Sequence, residues 1–484
     1  MIWMDYGGRH KQFFPCLVGI HFFFIVCTAY AGDERASIAG VSMARTFVAS
    51  SRGLEAIGTN PANLALGDHN RNVTFTLVPP FGASFGSDFL NYQIYNDYFT
   101  GVDTGGSKRA GKYLSDADKE RILSIFPSGL AETHADIDVR LFGITVHSDY
   151  LGSFGFAVTE RLAFNFDMPR DYARFILYGL DSLGSSYDFR GTDERGWWLR
   201  EYSLSYARKL PDLSFATNIV GGITLKLVHG YGYVGTDHYN ATFGNTVIRD
   251  SSGNIAGYKL EGNADFSLIR SGIDAFGEGK TSFNPFPTPA GSGFGVDIGF
   301  SAEVLQGVRA AFSITDIGSI TWSQNTRERV GIGRFTITNP SAQSQRDSLE
   351  NAFKGEERVK GDFSTPLATA LRFGGSVQLD ETGWTPWLPG RLLLAAEIQQ
   401  GFNTSPGNTT RPRISLGMEY RPVLFFPLRS GVSFGGSDRF NWALGFGFDL
   451  TYFTLDLGTE NITAAFTPNS FNQFSIGLGM RVKI

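Results

Sequence analysis

The last eleven residues alternate without a break: Phe474, Ile476, Leu478, Met480, Val482 and Ile484 are apolar, and Ser475, Gly477, Gly479, Arg481 and Lys483 between them are small or charged. A period of two belongs to a strand with two unlike faces, not to a helix. About ten residues is what a tilted strand needs to cross a bilayer. The segment is therefore expected to be the closing strand of a transmembrane antiparallel β-barrel, with its apolar side on lipid and its small or charged side in the lumen.

The same pattern recurs upstream. Phe294, Val296, Ile298 and Phe300 interleave with Gly295, Asp297 and Gly299; Val308, Ala310, Phe312 and Ile314 interleave with Arg309, Ala311 and Ser313. Further copies run through 223–227, 371–379 and 414–420, and the clearest is Trp442, Leu444, Phe446, Phe448 and Leu450 around Ala443, Gly445, Gly447 and Asp449. The number of such segments points to an all-β chain of about 14 strands, an even number as closed bacterial barrels require. The 43 Phe, 18 Tyr and 59 Gly fit that architecture, as does a mean hydropathy of only -0.09. A net charge of -5 argues against a nucleic-acid partner.

At the start of the chain, Arg9, His10 and Lys11 precede an apolar run and then Ala29-Tyr30-Ala31, the order of a secretory signal peptide. Residues 1–31 are read as that signal, 32–71 as a separate N-terminal segment and 72–484 as the barrel. Both cysteines, Cys16 and Cys27, fall inside the signal, which leaves no disulfide or thiolate-bound metal for the remainder. The compartment expected is the outer membrane of a Gram-negative bacterium, with outer-membrane lipid and the barrel-assembly machinery as partners.

Three helices are expected between strands. Ser115 caps the first, with Asp118 three residues on, an apolar stripe of Ile122, Leu123 and Phe126, and Pro127 as its end. The second starts at Pro169 and runs to Gly184; the third spans 341–354 before Gly355. Such helices would either pack over the barrel mouth or collect apolar ligands there.

Charged residues on the non-apolar side of the strands, Lys226, Asp297, Arg309, Arg372, Glu397, Glu419, Asp449 and Asp456, are expected to point into the lumen. Their mixed signs suit a paired network better than a selectivity ring of one sign. Trp197, Trp198, Trp322, Trp384, Trp387 and Trp442 lie near segment ends, where interface girdles would want them.

Enzyme and cofactor motifs dissolve on inspection. Gly230-Tyr231-Gly232-Tyr233-Val234-Gly235 has dinucleotide-loop spacing but no following helix to hold a pyrophosphate, so it is read as a turn at the membrane interface. His147-Ser148-Asp149 is contiguous at a hairpin turn, where neighbours point to opposite faces. The remaining histidines are scattered, with only His229 and His238 near one another. No catalytic residue, metal or cofactor is expected.

Between the signal and the first strand lies a segment of small residues that includes Ser42-Met43-Ala44-Arg45-Thr46 and closes on Asn60-Pro61-Ala62. This arrangement resembles the N-terminal hatch of the long-chain fatty-acid transporter (FadL-type) family of outer-membrane barrels, and also the related shuttle barrels of type IX secretion. The resemblance implies a 14-stranded barrel plugged by the hatch, with hydrophobic substrates leaving through an opening in the wall. Only Asn60, Pro61 and Ala62 match the hatch motif. Family hatches carry glycines around positions 43–46, where this chain has Ala44 and Arg45. The expected function is passive, porin-like transport of hydrophobic small molecules such as fatty acids. The alternative is a non-transporting outer-membrane scaffold, either a secretion shuttle or a surface-interaction protein.

Overall fold

The computed structural model describes residues 35–484 except 68–71, 104–108, 111, 128, 180–184, 274–285, 339–342, 438 and 468–472. The expected signal peptide lies outside the described residues. Fourteen strands close on themselves: β1 (Val73–Ser87), β2 (Leu130–Val146), β3 (Ser153–Pro169), β4 (Asp193–Lys209), β5 (Thr217–Arg249), β6 (Gly291–Leu305), β7 (Val308–Trp322), β8 (Ala370–Gln378), β9 (Arg391–Gly401), β10 (Arg413–Arg421), β11 (Leu428–Gly435), β12 (Phe440–Asp449), β13 (Phe453–Thr459) and β14 (Gln473–Lys483). Each is antiparallel to the next, and β14 returns to β1, with Phe85 opposite Phe474 and Phe75 opposite Val482. Closure gives every wall strand a neighbour on both edges and removes the free edge that an open sheet would expose. Among the described residues no helix is long and apolar enough to cross a membrane.

The alternation fixes which side is which. Phe474 and Ile476 are exposed, while Ser475 between them is buried and its hydroxyl accepts the Glu460 N–H. An aspartate at 474 would stand on the apolar outer face, and Phe474→Asp is expected to weaken the barrel by about 1–3 kcal/mol depending on depth. An unchanged urea midpoint in lipid vesicles would reverse the facing assignment. Ser475→Asp is not a mild control, because Ser475 is buried and an aspartate there would place a carboxylate inside the packed lumen.

One end of the barrel has short turns bearing exposed Tyr150, Phe215, Trp384, Trp387, Leu424 and Tyr452, as an interface girdle requires. Two of the tryptophans assigned to girdles behave otherwise. Trp197 and Trp322 point inward and form a buried cluster with Leu199, Val228, Ile320 and Leu367 near the opposite end of the lumen.

At that opposite end the chain builds upward. β5 runs 33 residues without a turn, so the Gly230–Gly235 stretch read as an interface turn is continuous strand, bulged at Tyr231. Its upper half pairs with the accessory strand Ile255–Ser271, which pairs with Arg327–Ile337, which pairs with Glu356–Val359.

The three loop helices are α1 (Asp116–Ile125), α2 (Arg170–Tyr178) and α3 (Gln343–Lys354). Ser115 and Asp118 form a reciprocal capping box on α1. The second helix is shorter than the spacing predicts, because Gly179 takes φ 61° and stops it; the rest of its expected span, 180–184, and the start of the third, 341–342, lie outside the described residues. The helices do not lie over the mouth. α1 and α2 pack around Ala131, opposite Met168, and strand parity from the inward-pointing Asp136 and Asp138 places that pair on the outer face of the wall.

Candidate functional site

The lumen is occupied by the chain's own N-terminal segment. Residues 35–67 wind once around the inner wall and touch all fourteen strands, mostly where the strand supplies a glycine. Ile38 lies against Gly477 and Gly479 of β14, Ser42 against Gly445 of β12 and Gly458 of β13, and Met43 against Gly417 of β10 and Gly431 of β11. The Phe47 and Val48 N–H groups donate to Glu397 of β9 (2.7 and 2.8 Å). Val48 meets Gly374 of β8 and packs with Ala311 of β7. Asn60 meets Gly299 of β6, and Pro61 and Ala62 meet Gly222 of β5. Leu64 packs on Ala207 of β4 and near Gly155 of β3, Leu54 on Gly143 of β2, and Arg35 on Gly82 of β1. On eleven of the fourteen strands a glycine of the small face is thus the space the segment fills.

Asn60, Pro61 and Ala62 sit at the centre of this packing. Asn60 caps a short 3-10 helix, Pro61–Leu66, whose first position is the proline. Its side-chain oxygen accepts the Ala62 N–H (3.2 Å), and its amide nitrogen donates to Val48 O (2.9 Å) and Phe300 O (3.3 Å). One side chain thus joins two turns of the hatch to β6. At the other end of the segment, Ala44 and Arg45 adopt φ 52° and 60°, the left-handed region where the resembled family carries glycine. A side chain there costs about 1–2 kcal/mol, offset at Arg45 by an ion pair to the buried Glu460 (3.0 Å).

The eight sequence-predicted lumen charges all face inward, and seven of them join paired networks. In the first, Lys226 Nζ lies 2.5 Å from Asp316, 3.0 Å from Asp297 and 3.6 Å from Glu201, and Arg161 bonds Glu201 (2.7 Å) and Asp316 (2.9 Å). In the second, Glu419 and Asp456 flank Arg429 (2.6 Å each); Arg481 bridges Asp456 to Glu55 of the hatch (3.0 and 2.9 Å); Arg421 and Lys483 hold Asp449. Arg372 bonds Glu397 (3.3 Å), the carboxylate that also receives the hatch N–H groups. Arg309 stands apart at the short-turn rim, near Glu303 (3.8 Å).

Sequence reasoning missed Asp316, and the reason is local. Thr315 and Asp316 both point inward, at a bulge where Asp316 takes φ 58° and its N–H donates to Asp297 (2.8 Å), so the simple alternation of β7 fails at that residue. Arg140 was also missed, although it continues the inward alternation of Asp136 and Asp138. It lies just before a one-residue shift between β2 and β3, and its guanidinium donates to the hatch carbonyls of Leu54 (2.8 Å) and Ile57 (3.1 Å).

Arg140 marks the place where the wall itself is discontinuous. β1 and β2 pair from Val73 to Phe75 and again from Phe81 to Ser87, but Thr76–Pro80 and Arg140–Gly143 between them share no register. Pro79 and Pro80 have no N–H to give to a ladder, and the Gly143 N–H goes to the Thr76 hydroxyl instead of a carbonyl (3.0 Å). Leu77, Val78, Leu141 and Phe142 are exposed on the outer side of the seam, and the buried Leu54 of the hatch stands directly inside it. At its short-turn end is a cavity of about 10 Å³, room for one water, lined by Leu64, Gly67, Thr74, His147 and Ser153 among others.

That cavity also bears on the histidine turn. His147 and Asp149 do not point apart: the turn brings them together (3.3 Å), and His147 Nδ1 lies 2.7 Å from Ser153 Oγ. Ser153 is fully buried and lines that small cavity. His229 and His238 do not converge; His238 bonds Asp265 and Asp237, and His229 packs on Tyr202. Among the described residues no group of three or more His, Cys, Asp or Glu could hold a metal ion.

No curated protein sequence matches this chain. Solved structures to which it is similar include the toluene transporter TbuX of Ralstonia pickettii (12% identity over 95% of this chain and 100% of that one, TM-score 0.44). Others are the toluene transporter TodX of Pseudomonas putida (10%, 94% and 98%, 0.42) and a Pseudomonas aeruginosa FadL homologue (10%, 94% and 98%, 0.41). A family model described as a family of unknown function (DUF5723) matches residues 69–460, most of the chain, and the chain belongs to that family.

Proposed function

We propose that this protein is a passive carrier of hydrophobic small molecules, fatty acids among them, in the outer membrane of a Gram-negative bacterium, and that its route runs through the wall between β1 and β2. The observation that carries this reading is the unpaired seam at Thr76–Pro80, apolar on its outer side and backed by apolar hatch side chains. A straight axial path would have to displace both charge networks and the hatch. A path beside Leu54 into the seam leaves both charge networks in place, and a molecule entering there passes from hatch to lipid. Asn60-Pro61-Ala62 would hold the hatch, and Arg140 would latch its seam side.

The test restores the missing donors. Pro79→Val with Pro80→Thr restores two N–H groups to β1, one directed to β2 and the other to β14, and so supplies the seam with a donor for pairing to β2. Uptake of a fluorescent fatty acid into liposomes is expected to fall severalfold in the double variant, while leakage of a small polar dye stays at the wild-type level. Fatty-acid uptake by wild type no faster than empty liposomes would reject transport. The filled lumen favours the second reading, a scaffold whose loops do the work, and that reading gains if both proteins are inert to both solutes.

A further inference from the structure

On β4 to β7 the outward face of the barrel changes from apolar to polar at one row. Counting from the short-turn end, the outward side chains of β6 are Phe300, Ile298, Val296 and Phe294, and opposite Phe294 stand Leu227 of β5 and, beyond it, Tyr202 of β4. Two residues further on, every partner in the row is polar. Ser364, Thr321, Ser292, His229, Arg200 and Glu160 lie directly opposite one another across six strands. We place the edge of the hydrocarbon at this row, with Trp198, outward and two residues above Arg200, at the interface.

Just above it the same face becomes basic. Val234 of β5 is outward, since it meets the same side of Gly196 as Phe164 does. Arg270 lies opposite Val234, Arg327 opposite Arg270, and Arg329 is two residues from Arg327 on the same face. From His229 to Val234 is a rise on the order of 10 Å, which sets the three arginines at headgroup height. They share one carboxylate: Glu357 lies 2.9 Å from Arg270, 3.6 Å from Arg329 and 4.0 Å from Arg327. Arg270 takes both oxygens of Glu357 (2.9 and 3.1 Å), so Arg327 and Arg329, whose side chains keep 39 and 40% of their surface exposed, hold that carboxylate only at 4.0 and 3.6 Å and present positive charge sideways, toward the membrane.

We infer that this face binds the phosphate groups of a phosphorylated lipid in the outer leaflet of the membrane. Glu357 is filled by Arg270, and phosphate oxygens at the same height supply bidentate acceptors for the guanidinium forks of Arg327 and Arg329. The bound lipid would fix the barrel's depth and the foot of the loop sheet. The inference rests on the outer-membrane placement proposed above, and it does not depend on transport through the seam.

Native mass spectrometry of the full-length barrel, released from nanodiscs containing diphosphorylated lipid A, counts the lipid retained. The double variant Arg327→Gln, Arg329→Gln is compared with Arg334→Gln, which sits on the opposite face of the same strand, and heat-modifiability on a gel checks that each is folded. Each basic residue at an anionic surface is worth about a fivefold factor in binding, so the pair is expected to lower retention about twentyfold while the control changes little. Dephosphorylated lipid A should be retained poorly by all three proteins. Equal retention by wild type and the double variant, or by wild type for phosphorylated and dephosphorylated lipid, overturns the inference. So does competition by millimolar inorganic phosphate as strong as by the lipid, which would mark a simple anion site.

Discussion

Lys226→Met is expected to weaken the folded barrel by about 3–5 kcal/mol, because it removes one ammonium from three buried carboxylates at once while leaving the volume filled. Asp316 and Glu201 retain Arg161, but Asp297 is left with the Asp316 N–H and the other wall atoms around it. All these groups are almost wholly buried, so the exposed-pair discount does not apply. Urea unfolding in lipid vesicles should show the midpoint falling, and the second change Asp297→Asn should restore much of it, since the orphaned charge is then gone. If the single variant unfolds with wild-type resistance, or the double variant is weaker still, the network is not holding β3 to β7 together.

How the barrel and its occupant could be anticipated differs residue by residue. The strand β14 declares itself because Phe474 to Ile484 never breaks step, and the strand count follows because both faces of each wall strand are under opposite demands, one from lipid and one from the hatch. The inward charges Lys226, Asp297 and Glu397 are legible for the same reason. Asp316 is not, since it sits at a bulge that shifts parity by one, and a shift of one moves a side chain to the other face. Arg140 keeps the parity of Asp136 and Asp138, and what the sequence does not carry is the pair of carbonyls, of Leu54 and Ile57, that it meets across the lumen. Trp197 and Trp322 mislead in another way: a tryptophan near a strand end suits either an interface or a packed lumen, and only the neighbours Leu199, Ile320 and Leu367 decide. The outer position of α1 and α2 depends on Ala131 and Met168 being opposite each other, a pairing that no local sequence signal contains.

The inward glycines turn that same logic into the strongest test of the hatch. A Cβ added at Gly222 would lie 2.5 Å from both Ala62 N and Pro61 C, backbone atoms of the turn that Asn60 ties to β6. Because Gly222 is part of a continuous wall strand paired to β4 and β6, the hatch is the softer partner and has to move. Overpacking of this kind costs about 1–3 kcal/mol, and a loss of about 2 kcal/mol from the seated hatch multiplies its unseated population about thirtyfold. Gly222→Ala is therefore expected to raise leakage of a small polar dye from liposomes and to open the bond after Arg52 to trypsin, with the barrel still heat-modifiable. Gly333→Ala makes the contrast, since its nearest neighbour would be the Ala352 methyl at 3.7 Å, outside the barrel wall. A Gly222→Ala barrel that is folded, tight to dye and resistant to trypsin would show that residues 35–67 are a fixed part of the wall and not a plug that can leave it.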